Sequence, residues 1–125
     1  MNAILLVASG GAIGSVARYL VGLAMTRALG MNFPYGTLTV NVVGGFLMGF
    51  FIEVLARWFN ASMDLRLFVA VGILGGFTTF SSFSLDAAVL WERGELATAF
   101  FYVLASVILS IGALFFGLWL ARIAA

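Results

Sequence analysis

The sequence has 125 residues, of which 64% are hydrophobic and only 9% are charged, whereas an ordinary soluble domain carries roughly 25% charged residues. A chain this short and this apolar cannot cover its surface with polar groups, so the composition favours lipid as its solvent over a soluble helical bundle. The absence of Cys excludes disulfides and Cys-based metal sites, and a net charge of +1 gives nucleic acid no basic surface to bind.

Four apolar segments are each long enough to cross a bilayer as a helix, which requires roughly 20 residues. The predicted helices cover about residues 3–29, 34–59, 67–91 and 96–123, within a single transmembrane domain of residues 1–125. Pro34 suits the first turn of the second helix, and Ser62 or Asp64 is the expected N-cap of the third. The predicted fold class is therefore an all-α integral membrane protein with four transmembrane helices.

The arginines near the span ends are divided almost evenly between the two sides of the membrane. Arg57, Arg66 and Arg122 are expected on one side of the membrane, and Arg27 and Arg93 on the other. Because an excess of Lys and Arg on one side normally sets the orientation, this distribution favours a subunit that inserts both ways up, which permits an antiparallel dimer. We also expect no cleavable signal peptide, because no positively charged segment precedes the first apolar run.

Small and polar residues recur every four positions on each predicted helix, which places them on one helix face. The rows are Gly10, Gly14, Arg18 and Gly22 in helix 1; Thr37, Asn41, Gly45, Gly49 and Glu53 in helix 2; Gly72 and Gly76 in helix 3; and Thr98, Tyr102, Ser106 and Ser110 in helix 4. The glycines indicate close helix packing in lipid. Asn41 and the helix 4 row have two interpretations: bonds between packed helices, or a hydroxyl and amide track that solvates a polar solute.

Arg18 is a cation about two-thirds of the way along helix 1, where insertion into lipid costs at least ~2.5–3.5 kcal/mol. Its place in the glycine row turns it toward protein. The side chain either extends to the membrane surface or provides a fixed positive charge that bonds carbonyls or attracts an anion. Glu53 and Asp86 lie nearer the span ends, where we expect ion pairs or vestibule positions.

The most specific segment is residues 75–84, where two glycines precede a run of Thr, Ser and Phe in the middle of the third span. These residues disfavour continuous helix, so we predict that helix 3 is broken near its middle. The break is either a packing kink or a place where freed carbonyls hold a cation. Phe80 and Phe83 are either core residues or rings whose positive edges face an anion.

Three motifs resemble those of the small prokaryotic fluoride channels, often called Fluc, in the right order and over essentially the whole chain. They are GGAIG at 10–14 followed by Arg18 and Tyr19, GTLTVN at 36–41 followed by Gly44, and residues 75–84. The resemblance implies an antiparallel, dual-topology homodimer in contact with lipid, in the cytoplasmic (inner) membrane of a prokaryote. Its two pores would be lined by both subunits.

The same resemblance implies which residues form the site. The residues implied for the fluoride path are Asn41, Phe80, Phe83, Tyr102, Ser106 and Ser110. A structural Na⁺ would lie on the two-fold axis, held by the backbone carbonyls of Gly75 and Thr78 from each subunit. Asp86 stands where many relatives are expected to have Glu, which keeps the charge but shortens the side chain.

The function that the resemblance implies is a passive fluoride-selective channel, not an enzyme, which exports fluoride and protects the cell against its toxicity. We considered two other classes: a small multidrug-type proton-coupled transporter and a membrane subunit that does not transport. The transporter would need a carboxylate in helix 1, and that helix has no acidic residue. The non-transporting subunit would need neither a polar track nor a broken helix.

Overall fold

The computed structural model describes residues 2–124, and every regular element in that range is helical. The elements are α1 (Ala3–Leu29), α2 (Tyr35–Trp58), α3 (Met63–Leu65), a π-helix (Arg66–Leu74), α4 (Gly75–Phe77), α5 (Phe80–Glu92) and α6 (Leu96–Ala124). α3, the π-helix, α4 and α5 together form the third span, Met63–Glu92. The described residues thus contain four segments long and apolar enough to cross a membrane, as predicted, and the chain is a multi-pass membrane protein.

Local capping sets the ends of the first span. Asn2 precedes α1, and its Oδ1 accepts the Ile4 N–H at 2.8 Å, which satisfies one of the unpaired donors of the first turn. α1 ends at Leu29 and is followed by Gly30, whose φ of 86° is a conformation that favours glycine. The short connection that follows leads into α2, which begins one residue after Pro34.

The third span begins at Met63, four residues earlier than predicted, because Ser62 caps its first turn. The Ser62 Oγ accepts the Leu65 N–H at 3.4 Å, so Ser62 rather than Asp64 is the N-cap. The last span runs to Ala124, one residue beyond the predicted end.

α1 packs against the first half of the third span through glycines. Gly10 lies against Gly72 and the Phe68 carbonyl, and Gly14 lies against the Ile73 carbonyl. A side chain at Gly10 or Gly14 would meet these backbone atoms well inside van der Waals contact. Gly10 and Gly14 of the helix 1 row therefore serve close helix packing, whereas a Cβ on Gly22 meets nothing within 4 Å.

α2 and α6 run parallel and form the second closely packed helix pair. Gly45 lies against the Ser110 carbonyl, and Gly49 lies against the Leu114 carbonyl. Because the contact positions increase together along both helices, α2 and α6 point in the same direction. The two backbones approach closely at each glycine, and this contact forms a seam that we call the α2–α6 seam.

Two residues with extended backbone, Thr78 and Thr79, separate α4 from α5. Thr78 has φ −90° and ψ 161°, and Thr79 has φ −154° and ψ 123°. The Thr79 Oγ1 then accepts the Ser82 N–H at 3.1 Å and so caps the start of α5. The second half of the third span therefore starts as a new helix with its own cap.

Replacing Gly49 by Ala is expected to lower the thermal unfolding midpoint of the purified protein in detergent. The added Cβ would overlap the Leu114 carbonyl, and overpacking of this kind costs about 1–3 kcal/mol. Gly112→Ala is the matched control, because a Cβ on Gly112 meets nothing within 4 Å. Equal midpoints for the two variants would contradict the close approach of α2 and α6.

Candidate functional site

Asn41 joins α2 to the extended segment of the third span. Its Oδ1 accepts the Thr79 N–H at 2.8 Å, and its Nδ2 donates to the Thr79 carbonyl at 3.0 Å. This side chain satisfies both backbone groups of a residue that lies between two helices. Because an unpaired backbone group in the membrane interior costs several kcal/mol, the extended backbone of Thr79 depends on Asn41.

The bond from Thr79 to Asn41 also changes the surroundings of Gly75. In a continuous helix the Thr79 N–H would donate to the Gly75 carbonyl, four residues earlier, but here it donates to Asn41. The Thr78 Oγ1 donates to the Leu74 carbonyl at 2.9 Å and thereby closes the end of α4. Gly75 itself is exposed on the surface of the subunit.

Arg18 extends from α1 to the end of α4. Its Nε donates to the Gly76 carbonyl at 3.1 Å, and the residue is half-buried. The C-terminal end of a helix carries partial negative charge, which a nearby cation stabilises. The guanidinium therefore bonds a carbonyl inside the protein, one of the interpretations left open by the sequence, instead of extending to the membrane surface.

The two predicted phenylalanines lie in different surroundings. Phe83 is 8% exposed and packs between α5 and α6, whereas Phe80 is 77% exposed. Their ring centroids are 5.5 Å apart, and the rings are tilted by 51°. The Phe83 ring also contacts the Tyr102 ring, with centroids 5.3 Å apart. A single subunit therefore does not enclose a pair of rings, because Phe80 projects away from it.

The predicted row on α6 is buried and polar. Tyr102 is 0% exposed, and its hydroxyl donates to Asp86 Oδ2 at 3.1 Å. Ser106 is 5% exposed, and within residues 2–124 the hydroxyls of Ser106 and Ser110 are buried without a hydrogen-bonding partner. A buried hydroxyl left unpaired costs about 1–3 kcal/mol. These two donors therefore mark a place where a polar solute would be stabilised.

The α6 row and Asn41 meet at the α2–α6 seam. Gly45 contacts the Ser110 carbonyl, and α2 and α6 are parallel. One helical turn earlier on both helices, Asn41 is level with Ser106. The structure thus brings the predicted path residues of α2 and α6 to one seam.

A cavity of about 680 Å³ opens between the second half of α1, the start of α2 and α5. The polar side chains on its wall include Arg18, Thr37, Thr79, Ser82 and Asp86. An ion in this cavity would face the positive charge of Arg18, the negative charge of Asp86 and the hydroxyls of Thr37, Thr79 and Ser82.

Sequence reasoning did not single out Thr79, because the signal for it is only its place in the Thr-Ser run. Glu53, for which an ion pair or a vestibule position was expected, is paired: its carboxylate accepts from Arg57 Nε at 2.7 Å and from Arg122 Nε at 2.8 Å. These contacts link α2 to the end of α6. In the part of the chain that the structure describes, no three His, Cys, Asp or Glu side chains form a metal-binding group.

The fold and the site define a class: small multi-pass membrane proteins with a buried polar seam beside an aromatic pair. Within that class, the chain belongs to the family described as CrcB-like protein, Camphor Resistance (CrcB), whose model matches residues 5–118.

Several bacterial relatives carry the name fluoride-specific ion channel FluC. The Agrobacterium fabrum protein is 61% identical over 119 residues, 95% of each chain, and the Chelativorans sp. protein is 61% identical over 122 residues, 98% of each chain. The Caulobacter vibrioides protein is 57% identical over 123 residues, 98% of this chain and 97% of its own. The family predicted from the three motifs is confirmed, and these relatives are named as channels rather than enzymes.

Replacing Asn41 by Leu, which has a similar size, is expected to destabilise the protein in detergent. The change removes both bonds to Thr79, and each buried backbone group left unpaired costs about 1–3 kcal/mol. Asn32→Leu is the control, because Asn32 lies exposed in the connection between α1 and α2. A thermal midpoint for Asn41→Leu as high as that of the control would show that Asn41 does not hold the extended segment.

Proposed function

We propose that the chain is one subunit of a passive, fluoride-selective channel, which exports fluoride from the cytoplasm and so protects against fluoride toxicity. The observation that carries the proposal is the pair of Ser106 and Ser110 hydroxyls, buried on the α2–α6 seam without partners among residues 2–124. A polar solute that accepts from these hydroxyls would supply the bonds that they lack. Relatives named fluoride-specific ion channels, at 57–61% identity, support fluoride as that solute.

Selectivity would come from closely placed donors that replace the water shell of the ion. A side-chain amide has two N–H donors, and Asn41 uses one on Thr79, which leaves the other for an anion. Tyr102 would donate after its hydroxyl turns away from Asp86, to which it is bonded. Ser106 and Ser110 would continue the path along α6.

Phe80 and Phe83 would contribute the positive edges of their rings. A ring edge attracts an anion without offering it an acceptor or a negative charge.

Passive flow would be sufficient for export. Fluoride enters cells as neutral HF and ionises at the higher internal pH, and an inside-negative membrane then drives the anion out. At 100 mV the driving force is ~2.3 kcal/mol per charge. Because ~1.4 kcal/mol corresponds to a tenfold concentration ratio, passive flow can lower internal fluoride to about one fiftieth of the external concentration. No chemical energy source is needed.

The functional unit in this proposal is an antiparallel, dual-topology homodimer with two pores. The exposure of Phe80 and of Gly75 supports contact with a second protein copy. At Gly75 a carbonyl has lost its helical donor, because the Thr79 N–H bonds Asn41 instead. The even division of arginines supports two orientations in the membrane. The bacterial origin of the relatives supports the cytoplasmic (inner) membrane as the location.

A structural Na⁺ on the two-fold axis is part of the proposal. The residues fit a cation, because the Thr79 N–H bonds Asn41 instead of the Gly75 carbonyl, and Gly75 is exposed. Thr78 follows in extended backbone, and carbonyls released from a helix are suitable Na⁺ ligands. When bound, the ion would supply one positive charge, and the Gly75 and Thr78 carbonyls of both copies would coordinate it.

The direct test is ion efflux from liposomes that contain the purified protein, with valinomycin to set the membrane potential. We expect rapid fluoride loss and negligible chloride loss. No flux of either ion from folded, dimeric protein would contradict the proposal. Drug-driven proton flux in the same vesicles would instead favour a multidrug-type transporter.

Phe80→Ala and Phe83→Ala are each expected to lower fluoride flux by roughly tenfold or more, which corresponds to about 1.4 kcal/mol of barrier. The reason is that each variant removes a ring edge from the path while the helices remain paired. Phe115→Ala, which truncates an exposed aromatic on α6, serves as the control. Normal flux in both purified variants would rule out a role for the two rings.

Arg18→Gln and Arg18→Met separate the hydrogen bond of Arg18 from its charge. Both variants lose the positive charge, but Gln keeps an N–H donor for the Gly76 carbonyl and Met does not. We expect the Met variant to have the lower thermal midpoint and the lower fluoride flux, because the end of α4 loses its partner. Equal loss in both variants would assign the role of Arg18 to its charge alone.

A further inference from the structure

Phe33 belongs to none of the motifs, and it lies in the connection between α1 and α2 rather than on a span. Its ring nevertheless contacts a residue of the proposed path. We propose that Phe33 is a positioning residue for Tyr102 and the wall that separates the polar cavity from a second cavity beside α6. This inference rests on the proposed function for its effect on conduction, but its structural part is independent of it.

The Tyr102 ring is held between two phenylalanines. Phe33 meets it at 90° with ring centroids 5.4 Å apart, and Phe83 meets it at 46° with centroids 5.3 Å apart. Both are favourable aromatic geometries. The hydroxyl is fixed separately by Asp86. Phe33 therefore restrains a ring that is in direct contact with Phe83.

Short-range backbone contacts fix the position of Phe33. The Tyr35 N–H donates to the Phe33 carbonyl at 2.8 Å, and Pro34 between them restricts the backbone. The Phe33 and Tyr35 rings also pack together, with centroids 5.1 Å apart and a tilt of 56°. The connection thus presents the Phe33 ring to α6 in a defined orientation.

Phe33 and Tyr35 form the wall between two cavities. The larger one is the polar cavity of about 680 Å³ described above, and both residues line it. A second cavity of about 340 Å³ lies on the other side, lined by Phe33, Tyr35, Ala97, Thr98 and Phe101. Thr98 is one helical turn from Tyr102 on the same row of α6.

Removal of the Phe33 ring would join the two cavities beside Tyr102. The face of Tyr102 that Phe33 now covers would then be open to water from both cavities. A Tyr102 ring without its edge contact would also allow Phe83 to move. Because selectivity for a small, strongly hydrated ion depends on a narrow and dry set of donors, discrimination against chloride would fall.

The first test compares Phe33→Leu with Phe101→Leu in the liposome assay. Phe101 also contacts the Phe33 ring, with centroids 6.1 Å apart, but it is exposed. We expect Phe33→Leu to lower the ratio of fluoride to chloride flux roughly three- to tenfold, the equivalent of one aromatic pair. Phe33→Tyr, which keeps the ring, should restore the ratio, and Phe101→Leu should not change it.

A double variant tests whether Phe33 acts through Tyr102. In a Tyr102→Phe background the hydroxyl that Phe33 positions is absent, so adding Phe33→Leu should lower the flux ratio less than it does in the wild-type chain. An undiminished effect of Phe33→Leu in that background would overturn the positioning role.

The second readout does not depend on conduction. The chain has three tyrosines, so protein labelled with 3-fluorotyrosine should give few fluorine resonances, and that of Tyr102 is identified by its loss in Tyr102→Phe. We expect this resonance to shift or narrow in Phe33→Leu, as the ring gains mobility, and to stay unchanged in Phe101→Leu. An unchanged Tyr102 resonance in Phe33→Leu would overturn the inference even if the wild-type channel conducts. A changed resonance in a protein without fluoride flux would refute the proposed function alone.

Discussion

The structure depends most on the pair of hydrogen bonds between the Asn41 side chain and the backbone of Thr79. An extended residue in the middle of a membrane span would otherwise leave both of its backbone groups unpaired in a medium without water. With Asn41 in place, Thr79 can start α5 as its N-cap, and Phe80 and Phe83 follow at fixed positions in the first turn. The same bond removes the helical donor of the Gly75 carbonyl.

Two helix pairs that pack through glycines make this arrangement possible. α1 approaches the first half of the third span at Gly10 and Gly14, and α2 approaches α6 at Gly45 and Gly49. Close packing supplies attraction between helices that lipid does not supply through the hydrophobic effect. That packing stabilises a seam in which two serine hydroxyls are buried at a cost in free energy. A polar solute that bonds them would recover part of this cost.

The spans could be predicted from the sequence because length and apolar composition alone determine them. Their ends were less predictable: Ser62 caps the third span and starts it at Met63, and the choice between Ser62 and Asp64 depends on backbone geometry. The four-residue rows indicated Gly10, Gly14, Gly45 and Gly49, which pack closely, but they missed Gly117, which also does. The α6 hydroxyls on the seam agree with the predicted track, whose role in conduction stays a prediction.

Contacts between distant residues could not be predicted in the same way. The bond of Asn41 to Thr79 joins residues 38 positions apart, and the bond of Arg18 to Gly76 joins residues 58 positions apart. Neither partner follows from helical periodicity, because each depends on how two helices are packed. Phe33 had no sequence signal at all, since its partner Tyr102 is brought to it only by the position of α6.

The most direct test of the account is whether Gly75 meets its copy in a second subunit. The chain has no cysteine, so Gly75→Cys in liposomes can be treated with a short thiol-specific crosslinker and compared with Ile108→Cys, which is exposed on α6. The account predicts efficient crosslinking of Gly75→Cys to a dimer and little crosslinking of Ile108→Cys. Gly75→Cys that remains monomeric, while Ile108→Cys crosslinks, would contradict it.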